Sequence, residues 1–600
     1  MDSIVLVIAA VVVIALATTV APKLNIAGPL VLVLVGIGVG LLPFVPAIEV
    51  DPEIILVGVL PPLLYSAAIA LPALEFRRDF GPIAGLSFLL VVVSSVVLAG
   101  FFIIVIPGIN PYVAVALGAI LSPTDAVATS IVKRLGISRR VVTMLEGESL
   151  LNDATALVLL RTMIAAAALA VGGAAGAEAE TTSFGGGFLG AFLWGVLVAV
   201  VVGGIIGYVN LRLRALVSHS AANTAVGFVV PFAAYLPTEH LGGSGLVAAV
   251  VAGIVTGQGA ARWFTPEQRL SDELNWRTIE LILEGGVFLL MGLELKEIVR
   301  SNVEDHNGLG SSIAIAAGAL GLILVVRGVY VAVLVWLQSR RARSSRRDRL
   351  EAISERIDEI ADSGDFPGGG PDGRHGKGPK RTRSGPVSEE QAQRRLASMR
   401  SRVSRAMSDL NYYQASPLGW KHGTIIVWAG MRGVVTLAAA QTLPREGIPE
   451  RPVLVFVAFA VAVGSLMLQG FTLPWVVRLL RIERTADGTD HAEQASLDEE
   501  LRDAAATAVG DPRLRRRDGT PFAPELLEKF GSRLINPPED DTTAPARDVL
   551  ELRLALINAM RTRLNEVSKG GAFSTPALRH ALAELDADQV SLELQLGDEE

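Results

Sequence analysis

Residues 141–163 read VVTMLEGESLLNDATALVLLRTM, an apolar run with Glu148 and Asp153 well inside it. Roughly 20 apolar residues cross a bilayer, and an ionised side chain at its centre costs about 2.5–3.5 kcal/mol on insertion scales. Carboxylates at that depth persist only where something pairs with them or uses them. On a helix of 3.6 residues per turn, Ser149 lies one turn from Asp153 on the same face. That stripe offers a hydroxyl and a carboxylate, hard oxygen ligands suited to a cation such as Na+. Glu148 and Asn152 form the adjacent stripe, and Glu148 requires a cationic partner. In a plainer alternative, Asp153 only satisfies Arg161, two turns along.

The surroundings of this run are of the same kind. Of the 600 residues, 51% are hydrophobic and only 19% charged, against about a quarter charged in soluble proteins. Apolar runs fill the chain up to about position 480. They predict an all-α polytopic membrane protein of about thirteen spans. Eleven lie within 1–338 and two within 421–480, with a cytosolic loop at 339–420 and a cytosolic tail at 481–600. The loop's centre is Gly- and Pro-rich and reads as disordered, while the tail acquires a helical period from about 546. The first run, from Ser3, lacks a basic leader and reads as a retained helix rather than a signal peptide. Alternate loops carry Lys23, Arg77, Arg78, Lys133, Arg134, Arg139, Arg140, Arg212, Arg214, Arg262 and Arg269. The opposite loops are poor in Lys and Arg, apart from Lys296, Arg300, Arg445 and Arg451. By the positive-inside rule this asymmetry puts the N-terminus outside and the C-terminus in the cytoplasm of a cell membrane.

Two spans are interrupted. In LSPTDAVATS (121–130), Pro123 removes a backbone donor and biases Ser122 away from the helical region. A helix broken at mid-membrane is tolerated only where its free ends line a site, so Thr124 and Asp125 become candidates. In WAGMRGVVTLAAA (428–440), Gly430 and Gly433 bracket Arg432, which can neutralise helix-end dipoles where broken helices cross. One discontinuous helix in each half of the chain points to a transporter built from inverted repeats. Arg327, in LILVVRGVYV, has no local partner and is assigned to Glu148 across helices. Glu284, in LILEGGVFLLMGLEL, is read as a group behind the site or as partly wet.

Other classes fit poorly. The chain has no cysteine, which excludes disulfides, thiolate catalysis and Cys-based metal sites. Seven histidines lack ligand spacing, no nucleophile–base constellation appears, and no selectivity-filter or charge-ring motif marks a channel. Neither an enzyme nor a cofactor is expected, and no nucleic-acid partner.

Together SPTDAVA, GESLLNDATAL, AGMRGVVTLA and LQGFTLPWVVRLL, in this order over about 5–480, make the chain similar to monovalent cation:proton antiporters of the NhaP/NHE type, the sodium/proton exchangers. The resemblance implies an NhaA/NhaP-like fold of two crossed discontinuous helices and a separate dimerisation domain, hence a homodimer in the lipid bilayer. It implies that Asp153 binds the cation or the proton, and that Asp125, Thr124 and Ser149 complete the Na+ site. It also implies that Glu148 pairs with Arg327, tethering Asn152. Asn rather than Asp at 152 implies electroneutral exchange of one Na+ (or Li+) per H+. Exchange of K+ or of a broad cation range is the alternative. Ser66 departs from the pattern, since family members often carry an acidic residue there. That leaves the coordination number and the Na+ preference open.

Overall fold

The computed structural model describes residues 2–24, 26–43, 45, 51–171, 186–217, 219–304, 309–342, 418–445, 448–482, 487–511, 513–516, 519–527 and 546–597, together with 407, 409, 412 and 413. The loop read at 339–420 falls largely outside them. Among the described residues the chain is helical throughout and has no named strand. The helices that matter here are α1 (Asp2–Val20), α2 (Gly28–Gly40), α3 (Leu60–Ala70), α4 (Phe80–Val105), α5 (Pro111–Leu121), α6 (Val127–Arg134) and α7 (Arg139–Val171). They continue as α8 (Gly186–Leu216), α9 (Ser220–His240), α10 (Gly245–Trp263), α11 (Pro266–Leu293), α12 (Leu295–Glu304) and α13 (Leu309–Ala342). After the long loop come α14 (Trp420–Trp428), α15 (Val434–Gln441) and α16 (Arg451–Leu479), then α17 (Asp487–Val509), α18 (Ala546–Gly570) and α19 (Thr575–Gly597).

Six of these contain stretches long and apolar enough to cross a membrane, in α4, α7, α8, α10, α13 and α16, and shorter apolar helices accompany them. Their outward faces are apolar: Leu193, Leu197, Val200, Val201 and Ile205 are all exposed along α8. A surface of that kind is stable only against lipid or another protein. Local chemistry sets the helix starts. Asn110 accepts from the Tyr112 N–H at 2.9 Å with Pro111 at the first helical position, and Thr265 with Gln268 closes a capping box on α11.

The chain divides into two compact units. The first comprises residues 1–335, 420–492 and 579–600. Within it, α10 packs against α8 and α3, and α2 against α11. The latter pair meets at glycines, since a Cβ added to Gly292 would stand 2.4 Å from the Val33 carbonyl oxygen. A buried Arg214–Asp272 pair, with Arg214 Nε also donating to Asn223 at 2.6 Å, ties α8 to α9 and α11. In a second group, α4, α5 and α7 stack on one another and α15 and α16 pack on α5. The part of α19 in this unit is pinned to the end of α3. Arg579 donates to the carbonyl oxygens of Ile69, Ala70 and Leu71, and Arg269 pairs with Asp586. The orphan carbonyls of a helix end thus find donors more than 500 residues away in sequence.

The second unit comprises residues 336–419 and 493–578. Ala505, Phe522, Leu526, Leu552 and Leu556 form its described core, and Glu493 accepts from the Ser574 backbone N–H at 2.7 Å. Helix α17 lies in a stretch whose polar, acidic composition gave no reason to expect one.

Candidate functional site

Both interrupted spans are broken in the structure, and the two breaks touch. Helix α5 ends at Leu121 and α6 begins at Val127, while α14 ends at Trp428 and α15 begins at Val434. At the crossing, Asp125 N–H donates to the Met431 carbonyl at 2.8 Å. Gly433 passes so close that an added Cβ would fall on the Asp125 carboxylate. Ser122 corrects one expectation. It keeps helical torsions (φ −82°, ψ −30°) despite the following proline, because its hydroxyl donates to the Ala119 carbonyl at 2.9 Å. The chain leaves the helix one residue later.

Arg432 is buried at 2% exposure between the broken ends. Its Nε donates to Leu121 O, the last residue of α5, at 2.9 Å, and its Nη1 donates to Gly430 O. A fixed positive charge thus sits against the carbonyl ends of both first half-helices, where the helix dipoles are negative. Its backbone N–H donates to Ser465 Oγ on α16 at 2.8 Å.

Behind the crossing is a charged pair with almost no solvent. Arg327 on α13 and Glu148 on α7 are each 1% exposed. They meet in a fork, Nη1 to Oε1 and Nη2 to Oε2, the latter at 2.9 Å. Arg327 also donates through Nε and Nη2 to the Ile426 carbonyl at 3.0 and 2.9 Å. The Thr124 hydroxyl donates to Glu148 Oε1 at 3.2 Å and accepts from Asn152 Nδ2 at 2.7 Å. So Asn152 is joined to the ion pair through Thr124, and that hydroxyl has one lone pair left for any other partner.

In front of the crossing is a cavity of about 270 Å³. Thr124, Asp125, Ser149, Asp153, Glu284, Gly433 and Thr436 are among its lining residues, with Leu60, Leu64 and Ala67 of α3 on the facing wall. Lys133, Glu146, Ala70 and Glu280 line its other end. The Lys133 side chain there is 57% exposed and paired with Glu146, which marks the mouth. Asp153 is 6% exposed, and among the described residues its carboxylate makes no hydrogen bond or ion pair. Asp125 Oδ1 accepts from the Val127 N–H at 3.1 Å, capping α6.

Of the residues singled out in the sequence, Asp153, Asp125, Thr124, Ser149 and Glu284 stand around this cavity. Asn152, Glu148, Arg327 and Arg432 stand behind it. Ser66 does not belong to the lining; it is buried with its hydroxyl donating to Leu63 O at 2.9 Å. Arg161, the plainer partner for Asp153, instead pairs with Glu239 on α9. Lys133, Glu146 and Glu280 were not singled out. Their place at span ends gave no signal, because charges there are ordinary.

A family model described as "Sodium/hydrogen exchanger, transmembrane" matches residues 8–357 and 401–479, more than half of the chain. The chain belongs to the sodium/hydrogen exchanger family. An uncharacterized Na+/H+ exchanger of Mycobacterium tuberculosis is 25% identical over 607 aligned positions, covering 98% of this chain and 96% of the relative. The Na+/H+ antiporter ApNhaP of Aphanothece halophytica is 25% identical, covering 75% of this chain and 69% of its own length. Among solved structures, the sodium proton antiporter MjNhaP1 of Methanocaldococcus jannaschii superposes with a TM-score of 0.54 at 16% identity. It covers 80% of this chain and 99% of its own. That likeness speaks for the fold: this exchanger-family chain is an all-helical polytopic membrane protein with two broken helices that cross.

Proposed function

We propose that this chain exchanges Na+ or Li+ for H+, one for one, with Asp153 holding either the cation or the proton. The observation that carries this reading is the Asp153 carboxylate, buried and unpaired among the described residues, in the wall of a cavity. A bare carboxylate so placed is costly, and either a proton or a dehydrated cation relieves the cost. It holds one or the other, and that competition couples the two fluxes. Asp125, Ser149 and Thr124 supply further oxygens for the cation, while Glu148, Arg327 and Arg432 are engaged in holding the crossing. Asn152 is an amide where a second carboxylate would add a charge to the cycle, which supports a one-for-one exchange.

Motion of the group carrying α5–α7, α15 and α16 past the group carrying α3 and α8–α11 then exposes Asp153 alternately to the two faces. The motion is favoured only when Asp153 is neutralised. The mouth, at Lys133, lies by the basic loops read as cytoplasmic, so the described state is the inward-open one. The same loops support a multi-pass protein of the cell membrane with its N-terminus outside and its C-terminus inside. The exposed apolar face of α8 supports burial against lipid or a second copy, as in a homodimer.

The test is collapse of an imposed pH gradient in proteoliposomes by Na+, Li+ or K+, with the membrane potential clamped. Collapse by Na+ or Li+ at a rate independent of potential is the expected result. A response to K+ alone moves the substrate, and a potential-dependent rate overturns the one-for-one stoichiometry.

A further inference from the structure

On the half of α7 that follows Asp153, Arg161 pairs with Glu239 near the end of α9. The two residues belong to the two groups of helices that must move past each other. Tyr235, one turn back on α9, lies beside the same guanidinium. Glu239 is held by a second bond, its Oε1 accepting from the Gly245 N–H at 2.9 Å, where α10 begins. Elsewhere α7 packs chiefly on α4 and α5 and touches α10, α8 and α3 only lightly. No residue of α7 beyond Asp153 lines the cavity. Asp153, Leu157 and Arg161 form one stripe, and eight residues place Arg161 about 12 Å along the axis from Asp153. Leu157, between them, is 8% exposed.

We propose that the Arg161–Glu239 pair is the outer-face lock of the transport cycle, joining the helix of the binding carboxylate to the stationary helices while the cavity opens on the other face. The proposal rests on the alternating-access reading above and adds a residue pair that sets the balance between its two states. Opening the outer face breaks this bond, so the pair adds to the stability of the inward-open state alone. With side chains 56% and 25% exposed, the pair is not enclosed by protein. Such pairs shift an equilibrium by about five-fold at most, and a lock of that strength biases the cycle without stopping it.

The chain has no cysteine, so single reporter cysteines can be read without a background. L157C reports the outer path and A70C the cavity mouth, each labelled in the full-length chain in sealed vesicles. A membrane-impermeant maleimide is added to the outer face for the first and to the inner face for the second. R161Q is expected to raise the labelling rate at L157C by about three- to five-fold and to lower it at A70C, as a shift of population demands. R161K keeps the charge and is expected to label like the parent. Equal rates in R161Q and the parent overturn the lock. So does a rise at both reporters, which is loosening rather than switching, and so does an R161K shift as large as that of R161Q. Labelling needs no cation flux. A shift found in a protein that fails to exchange Na+ would keep the lock and remove the proposed substrate.

Discussion

Asparagine at position 153 would keep the size of the side chain and remove both the exchangeable proton and the charge that holds a cation. Asp153→Asn is expected to reduce gradient collapse to that of empty vesicles with normal amounts of protein in the membrane. Substantial remaining exchange would move the binding group elsewhere. Arg327→Gln tests a different kind of residue. It leaves Glu148 buried with no cation, a change that costs about 3–5 kcal/mol in buried pairs. The expected result is a lower melting temperature and poorer yield, with little change in apparent Na+ affinity of the surviving protein. A large affinity change at unaltered stability would contradict the supporting role of the pair. At this scale the sequence is informative about need and uneven about partners. The depth of Glu148 demanded a cation, and Arg327, with no local partner, was assigned to it, as the structure pairs them. Arg161, offered to Asp153, pairs instead with Glu239, which nothing in the sequence pointed to. Ser66 shows the opposite failure. Its position in α3 invited a role, yet it stays out of the cavity lining although its neighbours Leu63 and Ala67 belong to it.

Among the elements, the breaks were legible because Pro123 and the Gly430/Gly433 bracket interrupt otherwise continuous apolar runs. Their crossing was legible only through the family resemblance, because nothing local says that residue 125 meets residue 431. That contact makes Gly433 demanding. Gly433→Ala drives a Cβ into the Asp125 carboxylate and is expected to abolish exchange, measured by the same gradient collapse. Gly292→Ala is the matched control, with a Cβ pressed against Val33 O where α2 meets α11. Overpacking of this sort costs about 1–3 kcal/mol. It should lower thermal stability while leaving the apparent Na+ affinity of the folded protein intact. If Gly433→Ala transports like the parent, the crossing yields more than its geometry implies.

For the whole molecule, charge asymmetry between loops speaks to orientation, and long apolar runs speak to class. The return of the tail onto α3 was hidden, since Arg579 and Asp586 look like ordinary charges of a soluble amphipathic helix. Burial lowers the Arg579 pKa from its ordinary value, while Glu146, Glu75 and Glu273 act in the other direction. Truncation before Thr575 removes the donors to Ile69, Ala70 and Leu71 and the partner of Arg269. We expect a melting temperature lower by a few degrees with basal exchange retained. An unchanged melting temperature would show that the tail does not hold α3.

The span between cap and helix end also has a meaning in time. Leu71 leaves the ribosome 508 residues before Arg579, roughly 25–100 s earlier at 5–20 residues per second. During that interval the end of α3 has no arginine from the tail. The wall of the cavity is therefore finished only by a segment synthesised some 508 residues later, and a chain interrupted before it carries its defect at the end of α3.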